Sequence, residues 1–315
     1  MAHSAQTSPR LSIGMPVYNA ERYLAEALDG FLAQTFQDFE IIVSDNASSD
    51  RTAEICQSFA ERDPRIRYFR NGRNLGAIPN FNRVFELSRA PLFKWAAHDD
   101  LYHPRYLHTC VRILDDDPNV ILAHSRTAFV DDHGQPFPVD PATGCYIDPR
   151  TGIAQTADSP MVADSPVAIV RFWQVLTGAC WGTHMFGAMR RDMLKRTRLI
   201  PTFSGGDRAM LAELALLGRF RCTNEVLFSK RFHESASCHL SEKEMLRWMS
   251  TDGKARSRRA QQLKAYFSTP QGKPVGILTK VGCAGLVAVH SIKTAAQAVA
   301  GKDSRRAAQG LAWRR

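Results

Sequence analysis

Leu11-Ser12-Ile13-Gly14-Met15-Pro16-Val17-Tyr18-Asn19 is an apolar run that stops at a polar pair. Seven residues of this kind predict a buried strand, and Asn19 is expected to cap the helix that follows. In that helix Leu24, Leu28, Phe31 and Leu32 recur at helical spacing. The same alternation continues outward. Phe39–Val43, Ile66–Phe69, Phe93–Ala97 and Val120–Ala123 read as strands, and the stretches to about Arg62, Pro79–Leu87 and Pro104–Leu114 read as helices. Strand–helix alternation over residues 11–124 predicts an α/β fold, a mostly parallel sheet with helices on both faces. The strand ends carry Tyr18-Asn19, Asp45-Asn46 and Asp99-Asp100, so three polar loops should meet on one rim, where open α/β sheets bind ligands.

The pair Asp99-Asp100, preceded by His98, is the strongest chemical signal. Adjacent carboxylates repel unless a cation lies between them, and a hard divalent cation suits such oxygen ligands. The bland alternative is a turn or a helix cap. Past Asp131 the pattern loosens. Residues 131–166 read as loop, Val167–Leu176 as helix and Trp181–Met189 as one or two strands. Gly205-Gly206-Asp207 opens a helical run to Leu217 in which Asp207 could be the cap, and Phe220–Phe232 returns to strand character. Three segments follow: a core over 1–130, a less regular part of the same domain over 131–240, and a basic helical C-terminal extension over 241–315.

The 315 residues carry a net charge of +10, and it is unevenly placed. Residues 241–315 hold 15 Lys/Arg against 4 Asp/Glu, a net of +11, leaving 26 against 27 in the first 240. An excess confined to a tail predicts an anionic surface as partner. The main body is nearly neutral and has no aromatic nucleic-acid signature, which argues against nucleic acid. The most apolar tail stretch, Val275–Val289, has 15 residues and includes Lys280, short of the about 20 needed to span a bilayer. It reads as a peripheral helix beside basic residues such as Arg256, Lys264, Arg305 and Arg315; a solvated tail is the alternative. Seven scattered cysteines without a CxxC pair argue against a zinc ribbon or disulfide framework. With no signal-peptide stretch in Met1–Arg10, the expected location is cytoplasmic, peripheral at the inner membrane face.

Five motifs stand in order: Pro16-Val17-Tyr18-Asn19, Gln34-Thr35-Phe36 running into Asp38–Val43, Asp45–Thr52, Asn74-Leu75-Gly76 and His98-Asp99-Asp100. On these the chain resembles family 2 glycosyltransferases with the GT-A fold. The resemblance is thinner beyond residue 125, at Cys180-x-x-x-His184, Gly206-Asp207 and Arg231-x-His233. It implies an inverting, metal-dependent transfer of a sugar from a nucleotide-diphosphate sugar to a glycan or lipid-linked acceptor in cell-surface polysaccharide synthesis. It puts Tyr18 against the base, with Pro16, Asn19, Asp45, Asn46, Arg73 and His98 also on the nucleotide sugar. Arg231 is a further candidate for the phosphates. Mn2+ or Mg2+ would be held by Asp99, with Asp100 and His233 as further ligands, and Asp207 would be the catalytic base. Asn46 stands where the family usually has a second carboxylate, and the metal motif lacks its first one. That reduction motivates the alternative, a catalytically silent nucleotide-sugar-binding or scaffolding protein. His184 reads as a satisfied structural histidine.

Overall fold

The computed structural model describes residues 8–149, 152, 154–155, 163–178, 183–237, 240–251 and 258–292. Cys180, Trp181, Arg256 and residues 293–315 lie outside that set. In chain order the elements are β1 (Leu11–Val17), α1 (Leu24–Leu32), β2 (Phe39–Asp45), α2 (Thr52–Arg62), β3 (Ile66–Arg70), α3 (Ala77–Glu86), β4 (Leu92–Trp95) and β5 (Leu101–Tyr102). There follow α4 (Tyr106–Asp116), β6 (Val120–Val130), the short strands β7 (Tyr146–Ile147) and β8 (Ala154–Gln155), α5 (Ala168–Thr177), and a 3-10 turn over Thr183–Phe186. The remainder are β9 (Ala188–Arg190), α6 (Arg191–Leu194), α7 (Gly206–Leu217), β10 (Arg219–Arg231), α8 (Glu242–Met249) and α9 (Arg258–Ser268). A last helical stretch covers 277–292.

The described residues form an eight-stranded sheet in the order β3-β2-β1-β4-β9-β6-β10-β5. The pairs β1–β2, β1–β4, β2–β3 and β6–β10 are parallel, while β9 and β5 pair antiparallel. This is the mostly parallel α/β sheet expected from the alternation. All seven residues of β1 are buried, as befits a central strand covered on both faces. Gly14 lets α3 lie close on it, since a Cβ there would stand 2.7 Å from Val84 and 2.8 Å from Phe93. The hydrophobic core is continuous from Leu11 through Leu216 to Cys283 and Val287, so strands and helices from all three segments share it.

Three local expectations change. The helix after β1 begins at Leu24, not behind an Asn19 cap. Asn19 takes a left-handed conformation, φ 48°, and its side chain is used elsewhere. The helix carrying Asp207 has Gly205 at its cap position. The fifth predicted strand runs on to Val130 because β10 pairs along it, and Leu101–Tyr102 adds a strand too short to show a pattern.

β4 buries a charge-bearing side chain. The Lys94 Nζ donates to the Trp95 carbonyl at 2.9 Å and stands 4.0 Å from the centre of the Tyr102 ring. Burial pushes its ammonium from 10.5 down to about 7, against the opposing pull of Cys110 and Asp100. A depressed lysine favours the fold at high pH, and that contribution is lost progressively as pH falls from about 10 to about 7, where the loss is complete. Lys94→Met removes it. The stability of the variant relative to the parent, measured by urea unfolding, should rise as pH falls from about 10 to about 7 and level off below, by a few kcal/mol in all.

Candidate active site

β1 feeds β2 and β3 on one side and β4 on the other, so the strand order reverses between β1 and β4. That reversal opens a crevice beyond the strand ends. The β1–β4 pairing ends at Gly14 opposite Trp95, and Pro16, with no N–H to give, falls just past it. Tyr18-Asn19 leaves one lip and His98-Asp99 the other. Between them lies a cleft of about 820 Å3 whose walls include Pro16, Tyr18, Asn46, His98, Asp99 and Asp207, with Asn19 and His233 beside them.

The β1 lip is locked to the turn after β2. The Asn19 N–H donates to Ser48 Oγ at 2.9 Å and its side-chain oxygen accepts from the Ser49 N–H at 2.9 Å. The Ala20 N–H donates to Thr52 Oγ1 at 2.7 Å. Tyr18, at the tip, is 45% exposed in the cleft. Asp45 is fully buried, outside the cleft wall, and accepts from the Ser48 N–H and the Tyr68 hydroxyl, both at 2.9 Å. Asn46 reaches the wall but its amide is fully used. Its NH2 donates to Asn74 Oδ1 at 2.9 Å and the Gly76 carbonyl at 3.1 Å. Its oxygen accepts from Asn71 Nδ2 at 3.0 Å and the Leu75 N–H at 2.9 Å. The 71–76 loop is therefore folded around Asn46. Gly76 has φ +88°, and a Cβ there would strike the Ser250 backbone at 2.5 Å, so the loop is also pressed against the end of α8. Arg73 is exposed and not among the residues lining the cleft.

On the β4 lip, Asp99 Oδ2 and His233 Nε2 meet at 2.9 Å. Burial by itself raises the Asp99 carboxyl, but the His98 charge, the His233 hydrogen bond and Lys230 outweigh it and hold Asp99 well below the usual carboxylate range. Asp100 faces the interior. Its Oδ1 accepts from the Arg231 N–H at 3.0 Å, and burial, with the Asp99 charge added, pushes it up to about 6 against the pull of Lys230. Asp100 thus stands apart from the Asp99–His233 pair. Arg231 is buried too, and its guanidinium donates to the Asp99 carbonyl at 2.7 Å, the Asp132 carbonyl at 3.0 Å and Glu26 Oε2 at 2.7 Å. It braces the acidic turn and has no face toward a phosphate.

Across the cleft, Asp207 is half-buried in the first turn of α7. Gly205 enters with φ +90°, and Gly206 lies so close to Pro201 that a Cβ would stand 2.2 Å from its carbonyl oxygen. This tight entry presents Asp207 at the cleft wall. His184 is buried, and burial, then His124 and Arg208, hold it well below its ordinary value; it is a neutral structural residue. Among the described residues no cluster of three His, Cys, Asp or Glu forms a ready cage for a metal. Asp99 with His233 suits an ion that takes its other ligands from phosphate and water.

Sequence reasoning missed the cations that line the cleft: Arg22, Lys230 and Arg247, with Trp248 next to the last. The strand pleat could have found Lys230, because it must face opposite to Arg231. Nothing in the sequence pattern brings α8 to the cleft.

The family model for glycosyl transferase family 2 matches residues 12–214. The chain belongs to glycosyl transferase family 2. An uncharacterized glycosyltransferase of Rickettsia typhi is 38% identical over 117 residues, 36% of this chain and 36% of that protein. Glycosyltransferase GlyG of Streptococcus pneumoniae is 28% identical over 118 residues, 37% of this chain and 39% of that protein. The matches thus span little more than a third of these curated relatives. Among solved structures, S. aureus TarS 1–349 in complex with UDP-GlcNAc aligns at TM-score 0.62 and 14% identity, covering 90% of this chain and 73% of that one. Mannosyltransferase PcManGT from Pyrobaculum calidifontis, in complex with GDP-Man and Mn2+, aligns at TM-score 0.54 and 17% identity over 98% and 81%. The fold is GT-A.

The Asn46 amide both donates and accepts, which a carboxylate cannot do. Asn46→Asp sets an acceptor against Asn74 Oδ1 and the Gly76 carbonyl. It should cost about 1–3 kcal/mol in thermal unfolding and speed proteolysis within residues 71–76.

Proposed function

We propose that the protein is an inverting, metal-dependent glycosyltransferase that moves a sugar from a nucleotide-diphosphate sugar to a hydroxyl of a glycan or lipid-linked acceptor. The observation that carries this reading is that Asp207 and the Asp99–His233 pair line one cleft at the sheet's switch point. Tyr18 stacks on the nucleotide base from the β1 lip, and the turn locked by Asn19 holds that ring in place. Asn46 acts through the 71–76 loop it organises, and Asp45 through the buried support of the same turn. His98 and Lys230 lie beside the diphosphate, with Arg22 and Arg247 as further cations.

Asp99 and His233 would hold a Mn2+ or Mg2+, which would supply neutralisation of the departing diphosphate. For this His233 must release its hydrogen bond to Asp99 and offer Nε2. Asp207 accepts the proton of the acceptor hydroxyl as that oxygen attacks the anomeric carbon from the face opposite the leaving group. In-line attack inverts the configuration. The transfer extends a cell-surface glycan. That PcManGT is described with GDP-Man and Mn2+, and TarS with UDP-GlcNAc, supports a nucleotide-sugar donor with a divalent ion and leaves the base and sugar open.

The test has two parts. Calorimetric titration with UDP, GDP and dTDP should give binding of one nucleotide that tightens with Mn2+ and loses that gain with EDTA or in Asp99→Asn. Asp207→Asn should keep donor binding while transfer falls by about 10^2–10^4 in a radiolabelled-donor assay. Transfer unchanged in both variants would sink the mechanism, and nucleotide binding without any turnover would favour the silent scaffold.

A further inference from the structure

The helix over 277–292 is apolar on the wrong side. Its inner face is accounted for: Cys283 and Val287 are fully buried, Leu286 packs on the core, and a Cβ at Gly282 would stand 2.4 Å from Ile169 of α5. Its outer face should then be polar, as on a surface helix. Instead Ile277, Leu278, Val281, Val289 and Ile292 are between 57% and 85% exposed, and the other exposed positions are Gly285 and Ala288. The polar residues Thr279, Lys280, His290 and Ser291 are the partly covered ones. Leu278, Val281, Gly285, Val289 and Ile292 follow one stripe along the helix at spacings of three and four. A helix apolar on its outer face as well as on its core face asks for cover on both.

We infer that this stripe is the face by which the chain lies on an anionic lipid surface, the helix flat in the interface with the stripe's four aliphatic side chains, and Ile277 beside them, among the acyl chains. Charge selects this occupant. The helix lies within a segment of net charge +11, and residues 293–315, which follow it directly, hold six Lys/Arg against one Asp. Anionic headgroups attract such a segment. A second copy pairing through the same stripe would bring two tails of +11 together. No helix among the described residues is long and apolar enough to cross a membrane, so the helix lies on the surface instead. It packs on α5, and α5 packs on α7, the helix whose first turn carries Asp207. The inference draws on the glycosyltransferase reading only for its consequence, that a lipid-linked acceptor would be met at that surface.

Full-length protein is floated with vesicles of phosphatidylcholine alone and of phosphatidylcholine mixed with phosphatidylglycerol. The parent is expected on the anionic vesicles and to come off in high salt in part only, since aliphatic insertion is not screened. The combined variant Leu278→Asn, Val281→Asn, Ile292→Asn should bind at least about tenfold less with unchanged melting temperature and unchanged hydrolysis of the nucleotide-sugar donor. Binding by that variant at the parent level overturns the inference. So does a lowered melting temperature with no vesicle binding by the parent, which would mean that the chain's own residues cover the stripe. A parent dimer that the variant turns into monomer, again without vesicle binding, overturns it in favour of a second copy. Vesicle binding without any donor turnover would instead sink the enzyme reading and leave the contact standing.

Discussion

The guanidinium of Arg231 holds the two ends of the chain's chemistry in register. It is buried and spends its donors on the carbonyls of Asp99 and Asp132 and on Glu26, while its own N–H binds Asp100. It also lies over the Tyr23 ring at 4.6 Å, and that ring is 5.0 Å from His233. A buried cation this well supplied is costly to disturb, because losing it would strand several acceptors at once. β10 thereby fixes the turn after β4, and two residues later the same strand's end delivers His233 to Asp99. The acidic turn is rigid because of a residue 132 positions away.

The opposite lip is built on a different economy. Beside the buried Asp45 it relies on amides and hydroxyls: Asn19, Asn46, Asn71, Asn74 and Asn80, with Ser44 donating to Asn80 at 2.7 Å and Asn71 donating to it at 3.0 Å. An amide gives and takes hydrogen bonds in the same plane, so it can link neighbouring loops without a counter-ion.

The parts legible in the sequence were those whose cause is local. Strand β1 was readable to the residue because burial on both faces leaves a continuous apolar run. Of the polar residues at strand ends, Tyr18, Asn19, Asn46 and Asp99 reach the cleft as the rim predicted, while Asp45 and Asp100 turn inward. What escaped depends on partners far along the chain. Asn19 looks like a helix cap until Ser48 and Ser49 claim it. Arg231 looks like a phosphate ligand until the pleat turns it inward and Lys230 outward. Arg73 looks well placed in its loop, yet that loop is organised by Asn46 from inside and its arginine is left outside.

The tail shows the same limit from the other direction. Composition revealed a basic segment beside an apolar one and suggested a lipid surface, but only packing tells which side of the helix is spoken for. Gly282 matters here: with no Cβ it lets the helix seat on Ile169, which turns Cys283, Leu286 and Val287 inward and so commits Leu278, Val281, Val289 and Ile292 to face out. A soluble surface helix that made this packing would carry polar residues at those positions at no cost to the core. That they are aliphatic means the outer face is constrained by something other than folding of the described residues.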